Sequence, residues 1–202
     1  MSKAAVIAGF AAMGALIAGS AAYVFLAPSN DRFDACRGGQ VAGAIGGPFT
    51  LVDSTGQTVT DRDVITKPSL VYFGYTFCPD VCPFDNARNA QAVDILEERG
   101  IEATPIFITI DPQRDTQAVM AEYVANMHPA MIGLTGSDAQ IKAAAFAYRV
   151  LYQRREIGEG EYLMDHSVQT YLVMPETGFA DFFGRDATPA EIADSVACFA
   201  GA

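Results

Sequence analysis

A three-layer α/β sandwich, a β-sheet held between two layers of helix, is the architecture this sequence predicts. Three observations predict it. Apolar runs of strand length alternate with stretches of helical periodicity between residues 69 and 127, the pattern of a parallel βαβ unit. Two later strands are joined by the turn sequence Pro175-Glu176-Thr177-Gly178 and form an antiparallel pair. A final helix then closes the chain.

The elements follow in order. Residues 4–27 carry no charged side chain. As a helix rising 1.5 Å per residue they would extend about 36 Å, more than the roughly 30 Å of a hydrocarbon core. Ala18-Gly19-Ser20-Ala21-Ala22 offers the small residues of a cleavage site. The run is nevertheless longer than the roughly 7–15 apolar residues of a secretory leader. An uncleaved transmembrane anchor over residues 1–28 is therefore the expectation. Lys3, ahead of the span, would keep the N-terminus in the cytoplasm and export the rest, giving a single-pass protein of the inner membrane with its globular part in the periplasm.

A linker over residues 29–47 leads to one domain, residues 48–202. It starts with a β-hairpin, residues 49–53 and 57–59 around Ser54-Thr55-Gly56. Residues 69–73 form an apolar strand, and residues 84–99 have helical spacing through Ala87, Ala90, Val93 and Leu96, with Gly100 to end the helix. Residues 104–110 are a second buried strand. Asp115 is placed to cap a helix running to about Met127. A short strand at 131–134, a helix capped by Ser137 or Asp138 and running through Ala147, and strands at 169–174 and 179–183 complete the sheet. The last helix enters through Thr188-Pro189 with Glu191 behind it and ends near Cys198. Parallel strands, an antiparallel pair and a closing helix fit a sandwich of thioredoxin type.

Lys and Arg number 13 against 24 Asp and Glu, a formal net charge of −11. That balance works against phosphate backbones, so nucleic acid is excluded as a partner. Four cysteines are present. Two of them, Cys36 and Cys198, stand near the ends of the exported part, and an even count in an oxidising compartment predicts that they pair. Closing so long a loop contributes about 5 kcal/mol in the chain-entropy model.

The other two lie in Tyr75-Thr76-Phe77-Cys78-Pro79-Asp80-Val81-Cys82-Pro83, between an apolar strand and a helix. A strand that turns into a helix N-terminus places sulfur beside free backbone N–H groups and the positive end of the helix dipole, which favours thiolate. Pro83 suits the first helical turn, leaving Cys82 near the N-cap. The common strand-Cys-x-x-Cys-helix unit is a redox site. Here the spacing carries one residue more, room to splay the sulfurs around an ion. Redox enzyme and metal carrier both remain open at this point.

Of the two histidines, His128 sits in Asn126-Met127-His128-Pro129 at a helix end, where capping is its expected role. His166 lies in Met164-Asp165-His166-Ser167, after the acidic, Gly-containing loop of residues 156–161 and just before a strand. In a thioredoxin-type sheet that loop approaches the cysteine turn. Two thiolates and one imidazole with an open position suit copper, because thiolate favours Cu(I) and imidazole also accepts Cu(II). Zinc normally takes a fourth ligand. Asp111-Pro112-Gln113-Arg114-Asp115 lacks the repeated acidic ligands of an EF-hand and is expected to be a polar loop.

Three segments together, residues 73–83, residues 108–116 (Ile-Thr-Ile-Asp-Pro-Gln-Arg-Asp-Thr) and Asp165-His166-Ser167, resemble the Sco family of copper-binding assembly proteins for cytochrome c oxidase. The resemblance covers about residues 47–199. It implies a membrane-anchored thioredoxin-like domain that holds one copper ion through Cys78, Cys82 and His166. It also implies that the protein helps build the dinuclear copper A centre of oxidase subunit II, served by an upstream copper chaperone or thiol reductant. Asp80 and Asp165, beside the ligands, are expected to orient and tune them. A metallochaperone needs no catalytic turnover. The alternative is a thiol–disulfide oxidoreductase in which Cys78 and Cys82 are the redox pair that reduces the copper-ligand cysteines of the oxidase subunit. Related enzymes of this fold carry a cis-proline facing the reactive turn. The approach to the facing strand, residues 165–170, has no proline, which favours metal. The Cys36–Cys198 pairing is not part of the family pattern and rests on count and compartment alone.

Overall fold

A computed structural model describes residues 13–20, 33, 36 and 45–201. The chain divides into two compact units, Met1–Ala35 and Cys36–Ala202. In the first, residues 13–20 are helical. The remainder of the predicted span, and most of the predicted linker, lie outside the described residues. Among the described residues no helix is long and apolar enough to cross a membrane.

The second unit is built on a seven-stranded mixed sheet. Its strands are β1 (Thr50–Asp53), β2 (Thr58–Thr60), β3 (Ser69–Gly74), β4 (Thr104–Thr109), β5 (Ile132–Thr135), β8 (Thr170–Met174) and β9 (Gly178–Phe183), in the order β2-β1-β5-β4-β3-β8-β9. Strands β3, β4 and β5 run parallel, and β8 lies antiparallel to β3. The predicted N-terminal hairpin joins this sheet through antiparallel pairing of β1 with β5. Its turn is closed by Asp53, whose carboxylate accepts from the N–H groups of Thr55 and Gln57 at 2.8 and 2.9 Å. Central β3 is buried along its whole length, as its unbroken apolar run predicts for a strand covered on both faces.

Among the described residues five helices complete the unit: α1 (Asp61–Val64), α2 (Val81–Glu98), α3 (Gln117–Met127), α4 (Asp138–Ala147) and α5 (Pro189–Ala200). Tyr72 and Phe107, paired neighbours on β3 and β4, point to one face of the sheet. There Tyr72 meets Asp85 of α2, and Phe107 meets Tyr123 of α3 at 4.8 Å between ring centroids. Helix α5 joins that layer, bound to the end of α2 by an Arg99–Asp194 ion pair at 2.7 Å. Phe73 points the opposite way, to Tyr148 at the end of α4, 5.3 Å between centroids. These are the three layers. The Ser137 and Thr188 capping boxes that start α4 and α5 are the ones the sequence signals.

Three expectations need correction. Residues 156–161 are not a loop: β6 (Tyr152–Gly158) and β7 (Glu161–His166) form a separate antiparallel ribbon, register-shifted near its tip and turning at Glu159-Gly160 with both residues at positive φ. Much of this ribbon faces solvent, so the alternation that betrays a half-buried strand is missing. Helix α3 is capped by Thr116, which accepts from the Val119 N–H at 3.4 Å. Asp115 is instead buried. Helix α2 starts three residues earlier than its apolar spacing suggests, with Asp80 at the N-cap, Cys82 already inside and Pro83 in the first turn.

Cys36 and Cys198 are joined by a disulfide, with Cα atoms 5.6 Å apart. Cys198 lies on α5, so the bridge ties the start of this unit to its last helix.

Candidate metal centre

The carboxyl ends of β3 and β4 and the start of antiparallel β8 all lie at one edge of the sheet, because β8 runs opposite to its neighbour. Loops leaving parallel strands at that edge are where such folds place their chemistry. From β3 the chain turns through residues 75–80 into α2, carrying Cys78 and Cys82. The β6–β7 ribbon returns there, ending in His166 just before β8. The ligand atoms of Cys78, Cys82 and His166 lie within 4.8 Å of one another, with Cys82 buried and the other two half-buried. Cys78 and Cys82 are free thiols.

Local structure sets the chemistry of each donor. The Cys82 backbone N–H donates to the Cys78 sulfur at 3.5 Å, as expected for an anion seated at a helix N-terminus. Hydrogen bonds with the Cys82 thiol and the His166 ring, aided by backbone N–H groups of Cys82 and Asp80, hold Cys78 far below the ordinary thiol range, at about 3, against the opposing effect of burial. Cys82 moves the opposite way: its bond to Cys78 and its own burial keep the proton on it. The pair thus holds one proton between two sulfurs, and a thiophilic cation replaces that proton.

His166 Nδ1 lies 2.7 Å from the Ser167 carbonyl oxygen. A carbonyl only accepts, so Nδ1 carries a hydrogen, and in the neutral ring the lone pair is then on Nε2, 3.4 Å from Cys82 Sγ. This is the tautomer a metal-binding imidazole needs, fixed by its other nitrogen. The rings of Tyr72 and Tyr75 stand edge-on to the imidazole, 6.2 and 6.0 Å away between centroids. The Tyr72 hydroxyl donates to buried Asp85 at 3.0 Å.

The other predicted positions fall differently. Asp80 is exposed and serves the site through its backbone N–H. The Asp165 carboxylate, on the opposite face of β7 from His166, pairs with Arg155 at 3.1 Å. His128 stands at the C-cap of α3, but its side chain pairs with Asp94 of α2 at 3.1 Å. Sequence reasoning missed Tyr72, Tyr75 and Asp115, which look like ordinary strand or loop residues in the bare sequence. Arg114, which the sequence places only in a polar loop, bonds Asp111 and the Tyr162 carbonyl.

Comparison with known proteins is decisive about kinship. The SCO1/SenC family model matches residues 37–201. The chain belongs to the SCO1/SenC family. Among its SCO1/SenC relatives, Protein SenC of Rhodobacter capsulatus is 56% identical over 200 residues, covering 98% of this chain and 90% of its own. Mitochondrial SCO1 homologues from Arabidopsis thaliana and Homo sapiens are 43% and 42% identical, and the chain spans about half of their length, 51% and 52%. Arabidopsis thaliana ScoI, solved with copper bound, superposes at a TM-score of 0.74 with 42% identity, covering 79% of this chain and all of that one. BsSco, described as a member of the Sco family of cytochrome c oxidase assembly proteins, shares the fold at a TM-score of 0.60 and 22% identity.

Proposed function

We propose that this SCO1/SenC protein is a copper metallochaperone that assists assembly of the dinuclear copper A centre in subunit II of cytochrome c oxidase. One observation carries the reading: two thiol sulfurs and a correctly protonated imidazole converge within 4.8 Å, in a family with copper-bound relatives. Copper is cargo here. Cys78 and Cys82 supply the soft donors, His166 Nε2 the third, and the open side of the half-buried site is where a recipient's ligands would displace them. The apolar run of residues 4–27 would anchor the protein in the inner membrane, with the copper-binding unit in the periplasm beside an upstream copper donor and the oxidase.

The test is titration of the reduced full chain with Cu(I) and Cu(II) against a competing chelator. One ion binds, and Cys78→Ser or Cys82→Ser abolishes tight binding. His166→Ala weakens Cu(II) more than Cu(I), because two thiolates alone still hold the softer ion. Wild-type affinity in either serine variant would overturn the assignment.

A second reading has its own observation, the Cys78 thiolate beside a protonated partner thiol. As a thiol–disulfide oxidoreductase, Cys78 attacks a disulfide joining the copper-ligand cysteines of the oxidase subunit. Cys82 then displaces the mixed disulfide, leaving the target as two thiols and Cys78–Cys82 oxidised, to be restored by a thiol reductant. Deletion lowers oxidase activity under either reading. His166→Ala separates them: failure to rescue at low copper supports the carrier, and full rescue supports the reductase.

A further inference from the structure

The loop of residues 111–115, between β4 and α3, touches both arms of the candidate metal centre. Toward the thiols, the buried Asp115 carboxylate accepts from the N–H and hydroxyl of Thr76, two residues before Cys78, at 2.9 and 2.6 Å. Toward the imidazole, Arg114 donates from Nη1 to the Tyr162 carbonyl at 3.0 Å, four residues before His166 on the same face of β7. The Tyr162 hydroxyl donates to Asp111 at 2.9 Å, and Arg114 Nε donates to the other oxygen of that carboxylate.

The Arg114 guanidinium also lies 3.7 Å from the Tyr162 ring centroid, and that of Arg154 lies at the same distance. Two planar cations reach one ring so closely only from opposite faces. The remaining Arg114 nitrogen, Nη2, is buried without a hydrogen-bond partner, which is unfavourable. The ring and the two oxygen partners hold the guanidinium there in spite of that. The β6–β7 ribbon pairs with no strand of the main sheet, so its placement depends on side-chain contacts such as these.

We infer that Arg114 is a positioning residue: bonded to Asp111 and Tyr162, it braces the β6–β7 ribbon against the loop that also grips Thr76, and so sets the distance from His166 to the two thiols. The inference rests on the copper-site reading. Release of the brace lets the imidazole leave while the sulfurs stay, converting a three-donor site into a two-thiolate one. Arg114 therefore governs Cu(II), which needs the nitrogen, far more than Cu(I), which does not.

The experiment compares Arg114→Ala, Arg114→Lys, Tyr162→Phe, His166→Ala and the Arg114→Ala/His166→Ala double variant in the reduced full chain. Cu(I) and Cu(II) affinities, the sulfur-to-Cu(II) charge-transfer spectrum and thermal melting are read for each. Arg114→Ala is expected to lose at least tenfold in Cu(II) affinity and to shift the charge-transfer band toward that of His166→Ala, with Cu(I) affinity within threefold of wild type. Arg114→Lys, which keeps the charge but not the fork, follows the alanine variant. Tyr162→Phe keeps the ring and carbonyl that Arg114 engages but loses the hydroxyl bond to Asp111, so its loss of Cu(II) affinity is smaller than that of Arg114→Ala; an equal or larger loss would overturn the guanidinium as the brace. The double variant binds Cu(II) no worse than His166→Ala alone, a coupling that mere loss of stability does not produce. A wild-type spectrum and affinity in Arg114→Ala, or full additivity with His166→Ala, overturns the brace. If Arg114→Ala does not melt cooperatively, Arg114→Lys carries the same test. Unchanged Cu(II) binding in His166→Ala instead overturns the site reading on which the brace depends.

Discussion

Gly74 and Cys82 are packed so closely that a methyl group on Gly74 would lie 2.9 Å from the Cys82 sulfur. The same methyl would meet the Tyr72 and Phe107 rings at 2.9 and 3.0 Å. The last residue of β3 is thus glycine because a ligand sulfur and two rings occupy the space above it. Gly74→Ala is expected to cost about 1–3 kcal/mol through overpacking. By pushing Cys82 away from Cys78 it also lowers copper affinity at least tenfold. Thermal melting and chelator competition check both, and an alanine variant that binds copper like wild type would show that Cys82 is free to move.

Alkylation should distinguish the two thiols. Cys78 has its pKa lowered to about 3, so it is thiolate at every pH above that value and loses reactivity only as acid approaches it. An ordinary thiol with a pKa near about 8.5 slows tenfold per pH unit below that point. Iodoacetamide labelling followed by peptide mass spectrometry should therefore find Cys78 modified at nearly the same rate at pH 5 and pH 8, with Cys82 protected throughout. A tenfold fall per unit at Cys78 across that range would contradict the proton sharing between the sulfurs.

Asp115→Ala removes the acceptor for half-buried Thr76 and for the buried Thr109 hydroxyl at 2.6 Å, leaving their donors unpaired. Loss of about 2–3 kcal/mol is expected. Burial raises the Asp115 pKa, outweighing the hydrogen bonds that lower it. The folded value then lies above the unfolded one, so this group's contribution is complete below the unfolded pKa of about 3.9 and declines as pH rises through the folded value. Asp115→Asn cannot ionise. The stability advantage of wild type over Asp115→Asn should accordingly shrink between acid and neutral pH, as measured by urea unfolding.

Cys198→Ser breaks the bridge to Cys36 and should lower stability by a few kcal/mol, with about 5 kcal/mol as the chain-entropy ceiling. Copper stoichiometry should stay at one, because α5 packs on α2 and carries none of the three donors. Loss of the copper site in this variant would mean that the bridge also orders the cysteine turn.

How far this could be read from sequence varies with the kind of signal. The Cys78–Cys82 turn and the strands around it were legible because β3 and β4 are continuous apolar runs and the cysteines sit where a strand meets a helix. The Cys36–Cys198 pair was legible from the even number of cysteines together with the oxidising compartment expected from the apolar run. The β6–β7 ribbon was not, since β6 residues such as Arg154, Arg155 and Glu156 are exposed on both faces, and only β7 turns a partly buried face inward. Asp115 was misplaced as a cap because an acidic residue ahead of a helix looks the same whether it bonds its own helix or a threonine 39 residues away. The partners of Arg114 depend on where that ribbon folds back, which no local pattern encodes.

The bridge between Cys36 and Cys198 has an analytical consequence. The chain holds four cysteines, and two are locked in that bond, so every accessible thiol in the native protein belongs to the copper site. A colorimetric thiol count on unreduced material then works as a gauge of site state. With a chromogenic disulfide reagent Cys78 reacts first and buried Cys82 then displaces the reagent from the mixed disulfide, so two equivalents of chromophore signify a reduced, empty site, and none signifies one that is oxidised or shielded by metal. Repeating the count after chelation separates those last two conditions without any label on the protein.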